Sequence, residues 1–392
     1  MSEKKVSIAV IGVGSMGLSH ARDIIALPNT ELVGVCDVDR SRTEKVAAEY
    51  GVEACETYEK LMDRLKPDAV LIATPHYAHV PISIAAMQRG IHVLVEKPIA
   101  VHAKDARKMI DAYEAAKTAH PGLLFAAMFM QRTYGYWLKI KDLIDSGELG
   151  QLVRTTWLIT NWFRTQAYFD GGGWRATWRG EGGGVLLNQC PHNLDMYQWL
   201  VGMPQRVRGF VSLGKYHDIE VEDEVTAYFE HENGMVGHFI TSTGESPGTN
   251  RLEIVGENGK LVYEDDVLTF FRNRRSMFTE IRESSQRFAH VENWKTEVPF
   301  QHHGQPGHAL ITQNFADAIL KGAELIAPAA EGYNSVALGN AILFSSFENR
   351  VIDMPIDEDA FDAKLQALIA SSRYKKPDVK QDDPVDMRDS FN

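Results

Sequence analysis

The apolar positions of the first third of the chain fall into two alternating patterns. Residues 6–11, 32–36, 69–73, 91–95 and 123–127 are short, mostly apolar runs, several rich in Val and Ile. Such runs suit strands of a parallel sheet that is buried on both faces. Between them lie helical stretches: 15–27, stopped by Pro28; 41–50, ended by Gly51; 80–89, with Gly90 as terminator; and 103–119. Glycine just past a helical run and proline just beyond it are physical stop signals. Strands alternating with helices predict a doubly wound parallel sheet.

The pattern then changes. A helix is expected over 137–145, and strand-like runs follow. Residues 225–231 and 235–241 flank Asn233-Gly234, and 252–255 and 260–263 flank Asn258-Gly259. Asn-Gly between two such runs is a strong hairpin signal, because both residues tolerate positive φ. Two hairpins predict an antiparallel sheet in an α+β second domain. Residues 308–321 and 335–348 read as amphipathic helices. The boundary is expected between Phe125 and Gln131, giving domains 1–128 and 129–373 and a charged tail, 374–392, that holds Pro377 and Pro384.

Composition narrows the function classes. A chain of 392 residues suits two domains. Its 53 acidic against 41 basic side chains give a formal charge of −12. That balance repels phosphate backbones and no basic stripe offsets it, so no nucleic-acid partner is expected. Cys36, Cys55 and Cys190 form no CxxC pair. Neither a disulfide scaffold nor a metal site is expected, which suits a reducing cytoplasm. The lysines and apolar run at the N-terminus superficially resemble a signal peptide. The run is short, lacks a small-residue cleavage site and flows into a glycine fingerprint, so it reads as a first strand. No segment is apolar and long enough to span a membrane.

That fingerprint is GVGSMG, with Gly12, Gly14 and Gly17 directly after a strand and at the start of a helix. The first glycine permits the tight turn, the second lets backbone approach a pyrophosphate, and the third lets helix pack on strand. Ser15 and Met16 would present backbone N–H groups at the helix N-terminus. Asp37, at the end of the second strand, stands where an acidic group accepts hydrogen bonds from both ribose hydroxyls and repels a 2′-phosphate. NAD is therefore expected over NADP. Arg40 and Arg42 lie close behind and soften the preference.

Further along stand Thr74-Pro75-His76, Glu96-Lys97-Pro98 and the block GGGVLLNQCPHNLD from Gly182 to Asp195. With Gly332, Ser335 and a strand-like 351–355, these resemble the Gfo/Idh/MocA family of sugar and cyclitol oxidoreductases over roughly residues 5–370. The resemblance implies a Rossmann domain followed by an α/β domain with a large, open, mostly antiparallel sheet. It implies NAD or NADP at the C-terminal edge of the first sheet, among Gly12, Gly14, Ser15, Met16, Gly17, Asp37, Arg40, Thr74, Pro75, His76, His79, Glu96 and Lys97. It also implies Lys97 and His192 facing the nicotinamide, a cis peptide at Lys97–Pro98, and a homodimer or homotetramer formed through the second sheet.

Alcohol oxidation needs a base and a positive charge beside the developing alkoxide. His192 suits the first role and Lys97 the second. Asn188 lies four residues before His192 and Asp195 three after it, so a continuous helix would align them. The inositol-dehydrogenase branch usually has Asp where Asn188 stands, and branches oxidising a pyranose C3 hydroxyl tolerate Asn. The expected substrate is thus a sugar, anhydrosugar or glycoside, with a cyclitol as the alternative. Trp162, Arg164, Trp174 and Arg179, from a stretch dense in Trp and Arg, are expected to meet sugar faces and hydroxyl rims. Arg132 and Tyr134, after the last strand of the first sheet, complete the expected pocket. Two other readings remain: a glycosidase that oxidises, eliminates and reduces again while retaining NAD, and a non-catalytic NAD-binding regulator.

Overall fold

In the computed structural model, residues 4–374 are described apart from 172 and 303. The expected tail beyond 374, and the middle of the glycine run 171–173, lie outside them. Six strands form the first sheet: β1 (Val6–Ile11), β2 (Thr30–Cys36), β3 (Glu53–Cys55), β4 (Ala69–Ile72), β5 (His92–Val95) and β6 (Phe125–Ala127). All pairings are parallel, in the order β3-β2-β1-β4-β5-β6. This is the Rossmann order, and its strand sequence reverses between β1 and β4. The strands read as apolar runs because helices cover both faces: every residue of β4 is buried. Local chemistry sets the helix ends. Asp39 accepts from the Arg42 N–H to start Arg40–Tyr50, and Gly51, at φ +68°, ends it.

The second sheet has nine strands: β7 (Leu152–Ile159), β8 (Arg206–Leu213), β9 (Glu222–Glu230), β10 (Val236–Ser242), β11 (Asn250–Gly256), β12 (Gly259–Glu264), β13 (Val267–Asn273), β14 (Asn293–Glu297) and β15 (Ile352–Asp353). Their order is β14-β13-β12-β11-β7-β10-β9-β8-β15. Among the described residues of this sheet, only β7 and β10 pair in parallel. Both Asn-Gly hairpins form, joining β9 to β10 and β11 to β12. One face of the sheet packs on the helices Pro191–Val201 and Gly332–Glu348 through Val225, Ala227, Phe229 and Phe239. The other carries Leu158, Tyr228, His238 and Ile240 with an ionic lattice of Arg154, Arg251, Glu253, Lys260 and Glu264. Among the described residues, no helix is long and apolar enough to cross a membrane.

Three expectations need correction. The helix expected over 80–89 spans His76–Met87 and contains Pro81 in its second turn; proline is favoured in a first turn, so Pro81 gives no local sign that the helix has already begun. The strand-like run 351–355 supplies only the two residues of β15. The stretch from Asn188 to Asp195 is not one helix. Val185–Asn188 ends, and Pro191–Val201 begins with proline at its first position, where the missing N–H costs no helix bond.

The two hydrophobic cores meet near Arg132, which lies just beyond β6 and is 2% exposed. Its Nε and Nη2 donate to the two Asp195 oxygens at 2.8 and 2.6 Å, and Nη1 bonds Glu331. Arg132 and Asp195 were expected to contact substrate. The structure commits them to each other instead, and fully desolvated bidentate pairing leaves neither free. Removing one partner strands a buried charge. Arg132→Ala should therefore lose about 3–5 kcal/mol in urea unfolding. The double variant Arg132→Met/Asp195→Leu should recover most of that loss.

Candidate active site

The first sheet delivers its functional residues from the carboxyl ends of its strands. Gly12 follows β1, Asp37 follows β2, Thr74 follows β4 and Lys97 follows β5. Open parallel sheets bind ligands at this edge, where the strand order reverses. Gly12 has φ +88°, and a Cβ there would stand 2.7 Å from the Ala73 carbonyl. A Cβ on Gly17 would stand 1.8 Å from the Gly12 oxygen. A Cβ on Gly14 would meet nothing within 4 Å, and no side chain caps the helix Ser15–Ala26 that Gly14 opens. Two glycines thus close the turn on itself. The third faces open space beside an uncapped helix N-terminus that carries Ser15 and Met16, a cradle that fits a pyrophosphate.

Asp37 sits beside this cradle. Its oxygens accept from the Val13 N–H at 2.8 Å and the Asp39 N–H at 2.9 Å. Arg42 approaches it at 3.5 Å. Arg40, also expected here, instead pairs with Glu44 one turn along its own helix and is exposed. Thr74 has a buried hydroxyl without a partner. Pro75 is exposed at the start of the next helix. The two ring nitrogens of His79 lie 2.8 Å from the carbonyl oxygens of Thr74 and Pro98, so His79 ties the turns after β4 and β5 together rather than facing a ligand.

The Lys97–Pro98 peptide is cis, as expected. Glu96 is buried and already engaged. Its carboxylate accepts from His20 Nε2 at 2.8 Å and from the Lys97 N–H at 3.0 Å. Burial works against its charge, but the bond and charge of His20, with His308 and Lys97 nearby, hold it below the usual carboxylate range. His20 and His308 stack edge to face at 5.3 Å. Lys97 is largely enclosed, and its Nζ donates to the Asn188 carbonyl at 3.0 Å. Loss of solvent draws its pKa below the ordinary lysine value, with Glu96 opposing. His192 is buried, and its Nδ1 has no hydrogen-bond partner. Burial first, then the charge of Lys97, pushes its pKa well below 6.5.

Around this pair lies a ring of side chains, some of which the sequence did not single out. Asn188 is held by its amide: Nδ2 bonds Glu181, while Oδ1 accepts from Tyr168 Oη at 3.0 Å and Gln189 Nε2 at 3.3 Å. His76 is buried, bonded to the Glu181 carbonyl, and edge-on to Trp174 at 5.0 Å. Arg164 covers both Trp162 and Tyr168. Glu222, whose carboxyl burial pushes up to about 7, accepts from Gly184 and Leu186 N–H groups and so fixes the short helix that carries Asn188. Arg179 is exposed beside the buried Trp178. Tyr134 packs with Tyr136 and His302. Neither is brought against Lys97 or His192 by any contact among the described residues. Tyr168 and Glu181 carry no motif or periodic signal, whereas Arg175 belongs to the Trp- and Arg-dense stretch from which Arg164 and Arg179 are the expected contacts.

Two family models match this chain. Residues 6–120 match the NAD-binding Rossmann domain of the GFO/IDH/MocA oxidoreductases, and residues 137–262 match the C-terminal domain of the same family. The chain belongs to that family. Its members include the scyllo-inositol 2-dehydrogenase (NAD(+)) of Bacillus subtilis, 25% identical over 91% of this chain and 97% of its own. The levoglucosan dehydrogenase of Pseudarthrobacter phenanthrenivorans is 25% identical over 90% of this chain and 99% of its own. The WlbA dehydrogenase from Bordetella pertussis, solved with NADH and UDP-GlcNAcA, superposes with a TM-score of 0.75 at 25% identity, covering 90% of this chain and 100% of that one. Family membership makes this protein an NAD-dependent oxidoreductase acting on CH–OH donors.

The glycine geometry separates folding from cofactor binding. Gly14→Val should leave the melting temperature nearly unchanged and weaken NAD binding by roughly tenfold or more, read by calorimetry. Gly17→Ala should lower the melting temperature itself, because its Cβ meets backbone.

Proposed function

We propose that the protein oxidises a secondary ring hydroxyl of a sugar or cyclitol, with Lys97 and His192 handling the proton. The observation that carries this reading is their convergence. An enclosed lysine ammonium and a buried imidazole with an unpartnered nitrogen lie within electrostatic reach of each other at the edge of the cofactor cradle. NAD, when bound, supplies the hydride acceptor. The backbone around Gly14, Ser15 and Met16 would hold its pyrophosphate, and Asp37 its adenosine ribose.

The chain's own residues divide the remaining work. The Asn188 carbonyl aims the Lys97 ammonium, which favours the alkoxide over the alcohol by proximity. The His192 ring, kept neutral by its surroundings, accepts the hydroxyl proton. Tyr168 and Glu181 hold Asn188 and so orient that carbonyl. Trp162, Trp174 and Arg164 line the approach.

Among substrates, a pyranose hydroxyl at C3 is our first choice. Asn188 supports it, since it cannot carry the charge that an aspartate would bring. Of two relatives' names, glucose-6-phosphate 3-dehydrogenase of Bacillus subtilis carries the 3 position and levoglucosan dehydrogenase a sugar-derived substrate. We also expect a dimer or tetramer through the outer face of the nine-stranded sheet. A monomer by light scattering at micromolar concentration would remove that part.

Three measurements test the reading. Purified protein with NAD should release NADH on a panel of pyranoses, anhydrosugars and inositols. Turnover of a glycoside without net NADH would instead mark a cofactor-retaining lyase cycle. Lys97→Met should cut kcat by roughly 100-fold or more while leaving NAD affinity nearly intact; unchanged turnover would misassign the lysine. His192 must be neutral to accept a proton, and its pKa is lowered, so the acid limb of kcat/KM should fall below pH 6.5. A limb at or above 6.5 would point to another base.

A further inference from the structure

The loop between β7 and the helix Pro191–Val201 brings a cation to the active site that the proton chemistry does not use. The Arg175 guanidinium lies 4.5 Å from the Trp174 ring centroid and 4.7 Å from that of Tyr168. Its nearest carboxylate, Glu181, stands 3.9 Å away, too far for a hydrogen bond. Both Glu181 oxygens have other partners: Oε2 accepts from the Ala176 N–H at 2.7 Å and Oε1 bonds the Asn188 amide. Arg175 keeps 21% of its side chain exposed. The guanidinium lies over two aromatic rings, which are no match for a carboxylate as acceptors, so its N–H groups are the surface left for recognition.

The backbone that presents Arg175 is strained. Ala176, the next residue, has φ +64°, a left-handed conformation that costs a side chain about 1–2 kcal/mol. It is pinned on both sides: its N–H goes to Glu181, and its carbonyl accepts from the Glu220 N–H at 3.1 Å. Strain held in place in this way is characteristic of positions that serve a site. The charge of Arg175 acts on Lys97, His76 and Tyr168, so it belongs to the same cluster. Lys97 and Arg175 are the cations that act on this cluster, and the Glu96 carboxylate is already paired with His20.

We propose that Arg175 binds a carboxylate carried by the substrate, making the preferred substrates acidic ring polyols such as hexuronates. This rests on the dehydrogenase reading above and adds the substrate class to it. A carboxylate presents two coplanar oxygens at the spacing of one guanidinium edge, whereas a neutral hydroxyl uses only one donor. The strained turn fixes where that edge lies, and so fixes which ring carbon faces Lys97 and His192.

The test compares kcat/KM for hexuronates, their methyl esters, the parent hexoses and hexose 6-phosphates, all with NAD. The expected result is a hexuronate preference over its methyl ester of roughly 10–100-fold, the span of a charge-assisted hydrogen bond. Arg175→Gln should erase most of that ratio. A readout independent of turnover is quenching of tryptophan fluorescence when glucuronate is added to the NADH complex, which Arg175→Gln should abolish. Turnover of hexoses and methyl esters at least as fast as hexuronates, or equal slowing of both by Arg175→Gln, would overturn the carboxylate assignment and leave the dehydrogenase reading standing. A preference for hexose phosphates would overturn it as well. No NADH from any ring polyol, and no quenching, would sink both.

Discussion

Arg132 stands where the chain leaves the parallel sheet, and its guanidinium closes on Asp195 in the second turn of a helix belonging to the other core. His192 lies one turn before Asp195, and Lys97 follows the strand next to β6. The relation between Lys97 and His192 is thus held by a bond that neither makes. Exchanging such a pair for apolar residues of similar size is often neutral for stability. What the pair contributes is direction: a bidentate fork accepts one orientation, whereas apolar packing accepts many.

The same logic governs the active lysine. An ammonium drawn out of water is costly, and the structure offsets that cost locally with the Asn188 carbonyl and the Glu96 carboxylate. Glu96 is itself held ionised by His20, while His79 fastens the loop on the far side of Pro98. The dipoles around Lys97 are in place before any substrate arrives. A preorganised environment of this kind acts on a developing charge without rearranging.

Much of the first sheet was legible because its signals are local. GVGSMG between strand and helix and the glycines ending helices each need only a few adjacent residues, as do the two Asn-Gly hairpins of the second sheet. The site was legible only in part. Lys97 and His192 stood out through the Glu96-Lys97-Pro98 and Gly182–Asp195 blocks. Arg132 and Asp195 also looked like pocket residues, since nothing in sequence reveals that side chains 63 positions apart satisfy each other. Glu181 and Tyr168 were invisible for the converse reason: their importance lies in partners that only folding supplies. Arg175 stood in view in the Trp- and Arg-dense stretch, but nothing local ranked it above Arg164 and Arg179. Arg40 was a missed local cue, because its helix partner Glu44 is four residues away.

Asp37 has a consequence for anyone redesigning the cofactor preference. Its carboxylate receives the Val13 N–H, inside the glycine turn, and the Asp39 N–H, at the cap of the next helix. The group that would exclude a 2′-phosphate is therefore also a fastener for the loop that grips the pyrophosphate. Replacing it to admit NADP would slacken that grip at the same stroke. A successful exchange must import a new acceptor for the Val13 amide along with any new cation, and single-site swaps at this position trade one cofactor for weak binding of both.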